Sequence, residues 1–145
     1  MAIGPRRRAR IVALQALYEA DNSTHEPQEN LQRIIADQRV GKAPAAFAKE
    51  LVASVLSRRE EIDAKIADTA PAWPVDQLPS VDRNILRLAI SEMLSDNGTP
   101  VKAAINEAVE LAKSFGSEKS SSFVNGVLGS IARQLEEVAA DHPTT

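Results

Sequence analysis

Three prolines crowd into the stretch between residues 70 and 80, at positions 71, 74 and 79, and no single helix can run through them. A proline ring removes a backbone donor and collides with the carbonyl four residues back. Ala70-Pro71-Ala72-Trp73-Pro74-Val75-Asp76-Gln77-Leu78-Pro79-Ser80 is therefore predicted to be a connector, dividing the chain into halves spanning residues 1–70 and 71–145. On both sides of it apolar residues recur at the spacing of a helix face, and no strand-like alternation of useful length occurs. The predicted class is all-α, one domain built from two helical halves.

In the first half, Pro5 can open a helix because its missing N–H would go unpaired in a first turn. From there to about residue 20, Ile11, Val12, Leu14, Leu17 and Tyr18 cover much of the circumference. A short helix is predicted over residues 27–39, with Leu31, Ile34 and Ile35 as its buried edge and Gly41 ending it. Residues 44–68 form the clearest long helix, since Ala48, Leu51, Val52, Val55, Ile62 and Ile66 share one stripe. Arg58 and Arg59 mark a place for a bend that nothing local demands. In the connector, Trp73 reads as a plug against the core rather than a platform for a base.

The second half supports helices over residues 81–95, 101–115 and 118–138. In the first of these, Val81, Ile85, Leu88 and Ala89 make an apolar face that encloses Glu92. A buried carboxylate needs donors, and backbone N–H groups at a neighbouring helix start are the expected source. Asp96-Asn97-Gly98-Thr99-Pro100 is a turn and helix entry. The helix after it is predicted to bury Val101, Ala104, Ile105, Ala108, Val109, Ala112 and Phe115, to leave Glu107 and Glu110 outside, and to close on Gly116 as a left-handed cap. The last helix carries Val124, Val127, Leu128, Ile131 and Leu135 as its stripe, with fraying expected before Asp141-His142-Pro143-Thr144-Thr145.

Composition narrows the functional classes. With 43% hydrophobic residues but only 3% aromatic, the core must be built mainly from Leu, Ile, Val and Ala. Absence of cysteine removes disulfides, thiolate metal sites and a cysteine nucleophile together, and suits a reducing compartment. No stretch approaches the roughly eighteen apolar residues of a membrane span, nor is there a signal-peptide core, so a cytoplasmic protein without a membrane partner is expected. His25 and His142 lie in a loop and in the tail without metal-ligand spacing, Glu92 has no second titratable group placed to work with it, and neither a phosphate-binding glycine loop nor a nucleophile elbow occurs. The expectation is a binding protein without metal or cofactor, and not an enzyme.

Charge supplies the positive evidence. The first ten residues hold Arg6, Arg7, Arg8 and Arg10 and no acid, so four positive charges against a whole-chain net of −3 leave −7 on residues 11–145. Such a basic tip on an acidic body suggests a polyanion at one end and a basic partner elsewhere. Arginines at a helix start oppose the helix dipole, a cost that a phosphate chain would offset. A solvated basic tail is the plainer alternative. A second cluster, Lys113-Ser114-Phe115-Gly116-Ser117-Glu118-Lys119-Ser120-Ser121-Ser122-Phe123-Val124-Asn125-Gly126, joins a helix end to a helix start rich in hydroxyls, with two lysines able to reach phosphates. Phe123 sits at the edge of the apolar stripe, where it can either pack into the core or stack on an unpaired base. Gly126 lies opposite that stripe and calls for close approach by a neighbouring helix or by RNA.

Taken in order, these residues resemble the NusB family of transcription antitermination factors. The likeness rests on Arg6-Arg7-Arg8-Ala9-Arg10 running into Gln15-Ala16-Leu17-Tyr18, and on Val81-Asp82-Arg83-Asn84-Ile85-Leu86-Arg87-Leu88-Ala89 with Glu92 and Pro100. It continues through Ala104-Ile105-Asn106-Glu107-Ala108-Val109-Glu110-Leu111-Ala112-Lys113, Phe115-Gly116 and Phe123-Val124-Asn125-Gly126-Val127-Leu128, while residues 22–45 and the tail match poorly. The resemblance implies a bundle of about seven helices that binds the single-stranded boxA element of ribosomal RNA leaders with ribosomal protein NusE, within the transcription elongation complex. It implies an RNA surface of Arg6, Arg7, Arg8, Arg10, Lys113, Lys119, Ser120, Phe123 and Asn125, and a partner surface including Asp82, Glu107 and Glu110. Lys119 stands where a relative can carry an acid. A homodimer of the free chain, a protein-binding adaptor and kinship with the N-terminal part of ribosomal RNA methyltransferases stay open.

Overall fold

The computed structural model describes residues 3–141, in which seven α-helices follow one another: α1 (Pro5–Asp21), α2 (Pro27–Asp37), α3 (Lys42–Ser57), α4 (Arg59–Thr69), α5 (Ser80–Leu94), α6 (Val101–Phe115) and α7 (Ser120–Asp141). Between α4 and α5 the connector holds a single 3-10 turn, Val75–Gln77. The all-α class is as expected, and among the described residues no helix is long and apolar enough to cross a membrane. His142 and the rest of the predicted fraying tail, residues 142–145, lie outside the described residues.

Helix entry relies on prolines more than on side-chain caps. Pro5 and Pro27 occupy the first turns of α1 and α2, Pro79 and Pro100 precede α5 and α6 directly, and none of these four starts has a capping side-chain hydrogen bond. A fixed φ near the helical value supplies order that a capping Ser or Asp would otherwise provide.

The centre of the bundle is α5. It packs against α1, α3, α4, α6 and α7, and every residue from Asn84 to Met93 is buried, with Asp82 as well. The single apolar face read from the sequence is thus one side of a helix enclosed nearly all round. One hydrophobic cluster runs from Val12, Leu14 and Leu17 of α1 through Leu51, Val52 and Val55 of α3 to Ile85 and Leu88 of α5 and Val124, Leu128 and Ile131 of α7.

Several local expectations are corrected. The helix predicted over residues 44–68 breaks at Arg58, because α3 packs on α1 and α5 whereas α4 turns to α5 and α7; the predicted stripe stays buried on both sides of the break. At the end of α2, Gly41 is not the terminator. Arg39 takes the left-handed conformation (φ 52°) and the Val40 N–H closes onto the Ile35 carbonyl at 3.0 Å, while Gly41 caps α3. Trp73 is no plug: it is 53% exposed, and Leu78 of the same connector enters the core in its place. Tyr18, Val101 and Phe115 are also exposed, their α1 and α6 faces being narrower than the sequence suggested, and Leu111 fills the buried side of α6 instead.

Gly116 also departs from expectation. Its backbone is extended (φ −92°, ψ −173°) rather than left-handed. The reason for glycine there is space, since a Cβ would stand 2.5 Å from the Ser120 Cβ and 2.8 Å from the Ala112 carbonyl oxygen. The turn from α6 into α7 is that tight.

Candidate nucleic-acid interface

The first turn of α1 lies against the 95–100 loop and α6, and its four arginines meet four different environments. Arg6 donates to Thr99 Oγ1 at 2.9 Å and to the Asn97 carbonyl at 3.3 and 3.4 Å, with its guanidinium 4.5 Å from the centre of the Phe47 ring. All of these partners are neutral, so Arg6 keeps its full charge toward solvent. Arg7 grips both oxygens of Glu107 at 3.1 and 2.9 Å while its side chain stays 51% exposed. Arg8 is half-buried and takes no part in these bonds.

Arg10 departs from expectation. It is buried, 5% exposed, and donates through Nε and Nη2 to the two oxygens of Glu92 at 2.9 and 2.8 Å. A guanidinium so enclosed cannot reach a phosphate, which removes Arg10 from the surface and makes it an internal strut. The same pair corrects the expectation for Glu92: its donors are Arg10 and the Asn97 side-chain amide at 3.1 Å, not backbone N–H groups. Burial works to lower the Arg10 pKa, but the bonds and charge of Glu92 outweigh it and hold it above the ordinary value. For Glu107, hydrogen bonds from Arg7 keep the carboxyl below the usual carboxylate range against partial burial. Glu92 and Glu107 thereby offset the unfavourable meeting of arginines and helix dipole.

The second cluster divides in the same way. Lys113, Lys119 and Asn125 are exposed, with Lys113 Nζ 3.5 Å from Glu110. Ser120 is buried: its hydroxyl donates to Asp82 at 2.7 Å and accepts the Ser117 N–H at 2.8 Å. That bond ties the start of α7 to α5, so Ser120 is corrected from an RNA contact, and Asp82 from a partner contact, to buried structural partners of one another. Phe123 is half-buried and packs against the core. Around Gly126 nothing among the described residues lies within 4 Å of where a Cβ would be, so they make no close helix approach of the kind expected there.

Helix α6 carries residues that contact or belong to both clusters. Glu107, Glu110 and Lys113 succeed one another three residues apart on that helix, with Arg7 fixed to the first and the turn into Lys119 following the last. Sequence reasoning missed Phe47, Asn97 and Thr99, which hold Arg6; Phe47 is one apolar residue in a helical pattern, and the other two read only as a turn.

A second polar network, also unforeseen, braces the opposite end of α1. Asp21 Oδ2 accepts from Asn84 at 2.8 Å and from Arg83 Nε at 3.0 Å, while Arg87 donates to both oxygens of Asp63 at 2.9 and 3.0 Å. Burial alone would raise the Asp21 carboxyl, but the bonds from Asn84 and Arg83 and the charge of Arg87 bring it below the usual range. The network joins α1, α4 and α5, and Arg83 also ties in the connector through the Val75 and Leu78 carbonyls at 3.1 Å each.

Comparison with known proteins gives one consistent answer. A sequence model described as the NusB family matches residues 7–133. The transcription antitermination protein NusB of Dehalococcoides mccartyi is 45% identical over 134 residues, covering 92% of this chain and 94% of its own length. Among solved structures, NusB of T. maritima is similar with a TM-score of 0.83 and 33% identity over 91% of this chain and 93% of that one. A crystal structure of antitermination factors NusB and NusE in complex with dsRNA contains a chain with a TM-score of 0.80 and 30% identity, over 90% of this chain and 97% of that one.

Proposed function

Because the chain belongs to the NusB family, we propose that it is an RNA-binding transcription antitermination factor. In this reading it holds the single-stranded boxA element of ribosomal RNA leader transcripts together with ribosomal protein NusE, as part of the elongation complex in the cytoplasm. Its role is binding, not catalysis. The observation that carries the reading is the edge made by Arg6, Arg7 and Arg8 at the mouth of α1, in a fold shared with a chain of the crystal structure of NusB and NusE in complex with dsRNA. Those three side chains take phosphates, and Lys113 and Lys119 extend the path beyond α6. Phe123 and Asn125 offer an aromatic edge and an amide to bases at its far end. The exposed acid Glu110, with Glu107, faces a basic ribosomal protein, consistent with the acidic body of the chain.

Gel-shift titration with a boxA-bearing RNA and a scrambled RNA of equal length, each with and without NusE, tests it. Preference for boxA, strengthened by NusE, is the expected outcome. Equal binding of the two RNAs under both conditions overturns the sequence-specific reading.

A further inference from the structure

Of the four arginines in α1, only Arg7 is bonded to an acid that it could release. Arg10 is locked in the interior on Glu92, Arg6 rests on neutral oxygens and the Phe47 ring, and Arg8 lies outside these bonds. The Arg7 guanidinium presents Nε and one terminal nitrogen side by side to both oxygens of Glu107. That fork is the geometry in which a guanidinium takes two oxygens of a phosphate. Glu107 therefore occupies, with the same donors and the same charge sign, the place that an RNA phosphate would take.

Resting on the function proposed above, we infer that Glu107 sets the RNA affinity of this surface by standing in for phosphate on Arg7. In the free chain the carboxylate holds the guanidinium against α6 and keeps an unpaired charge from the open first turn. On binding, a phosphate must take over the fork, and the anionic carboxylate left behind opposes it. The exposure of the two side chains, 51% for Arg7 and 23% for Glu107, makes the exchange feasible without unfolding any helix. An exposed pair of this kind is weak enough to be traded and strong enough to be measured.

The test uses the full-length chain and a boxA RNA oligonucleotide, without NusE, comparing Kd by fluorescence anisotropy for four proteins. Glu107→Gln should tighten binding about two- to fivefold relative to the unmodified chain. Arg7→Ala should weaken it, and Glu107→Gln placed in the Arg7→Ala background should produce much less tightening than it does alone. Circular dichroism confirms that each variant is folded. Equal tightening with and without Arg7 would show that Glu107 acts only as a distant like charge and overturn the inference, as would an unchanged Kd for Glu107→Gln. If the unmodified chain with NusE shows no preference for boxA over scrambled RNA, the proposed function fails instead, which keeps the two failures distinct.

Discussion

The guanidinium of Arg10 and the carboxylate of Glu92, 82 residues apart in the chain, form a two-armed bond at 2.9 and 2.8 Å in the interior of the bundle. It fixes the rotational setting of α1 against α5, and with it the direction in which Arg6, Arg7 and Arg8 face. A contact inside the core thus sets the geometry of a surface.

Removing either partner leaves the other charge buried and unmatched. Arg10→Ala and Glu92→Ala should each destabilise the fold by about 3–5 kcal/mol, and the double replacement Arg10→Met with Glu92→Leu should lie closer to the original chain than either single change. Urea denaturation of the variants measures this; additive losses in the double variant would contradict the pairing.

Two glycines should respond to alanine with opposite signs. Gly116→Ala drives a methyl into Ser120 and the Ala112 carbonyl and should cost about 1–3 kcal/mol. Gly126→Ala adds a methyl in open space on a helix and should stabilise by about 0.5–1 kcal/mol. Thermal melts of the two variants give the comparison.

Acid should loosen α1 from α5 through Asp21. Its carboxyl is held below the ordinary range, so its contribution is complete above the unfolded carboxylate pKa of about 4 and disappears as pH falls through the lower folded value. Asp21→Asn should therefore be less stable than the parent at neutral pH, with the gap closing as pH falls below the ordinary carboxylate range. Denaturation at a series of pH values checks the direction; a gap that widens in acid would reverse the assignment.

With Arg10 internal, three arginines rather than four face an RNA backbone. A plot of log K against log salt should lose about 2 units of slope in the Arg6, Arg7 and Arg8 triple alanine variant, at about 0.7 per phosphate contact on a single strand. An unchanged slope would place the phosphate path elsewhere on the molecule.

How much of this was legible beforehand depends on whether the signal is local. The stripe from Ala48 to Ile66 and the apolar line of α7 are written in residue spacing, and the core contains them as expected. The break at Arg58 is not written there, since it arises when α3 and α4 pack on different neighbours. The same limit applies at the site. Arg6, Arg7, Arg8 and Arg10 look alike in sequence, and only the packing of α1 on α5 decides that Arg10 meets Glu92 while the others remain near the surface. Ser120 and Asp82 carry surface chemistry by type, yet each is buried by the other. Trp73 lies exposed, and the connector sends the smaller Leu78 inward, a choice that nothing in the local sequence marks.

Placing α5 at the middle of the bundle has a consequence for how the protein is made. Its residues follow α1 to α4 in synthesis, so α1, α3 and α4 leave the ribosome before the rod they pack against exists. α1, α2 and α3 can cover part of one another, but the sides of α1, α3 and α4 that pack on α5 stay uncovered until Ser80–Leu94 has emerged, and a fragment ending before that point should be a substrate for proteases.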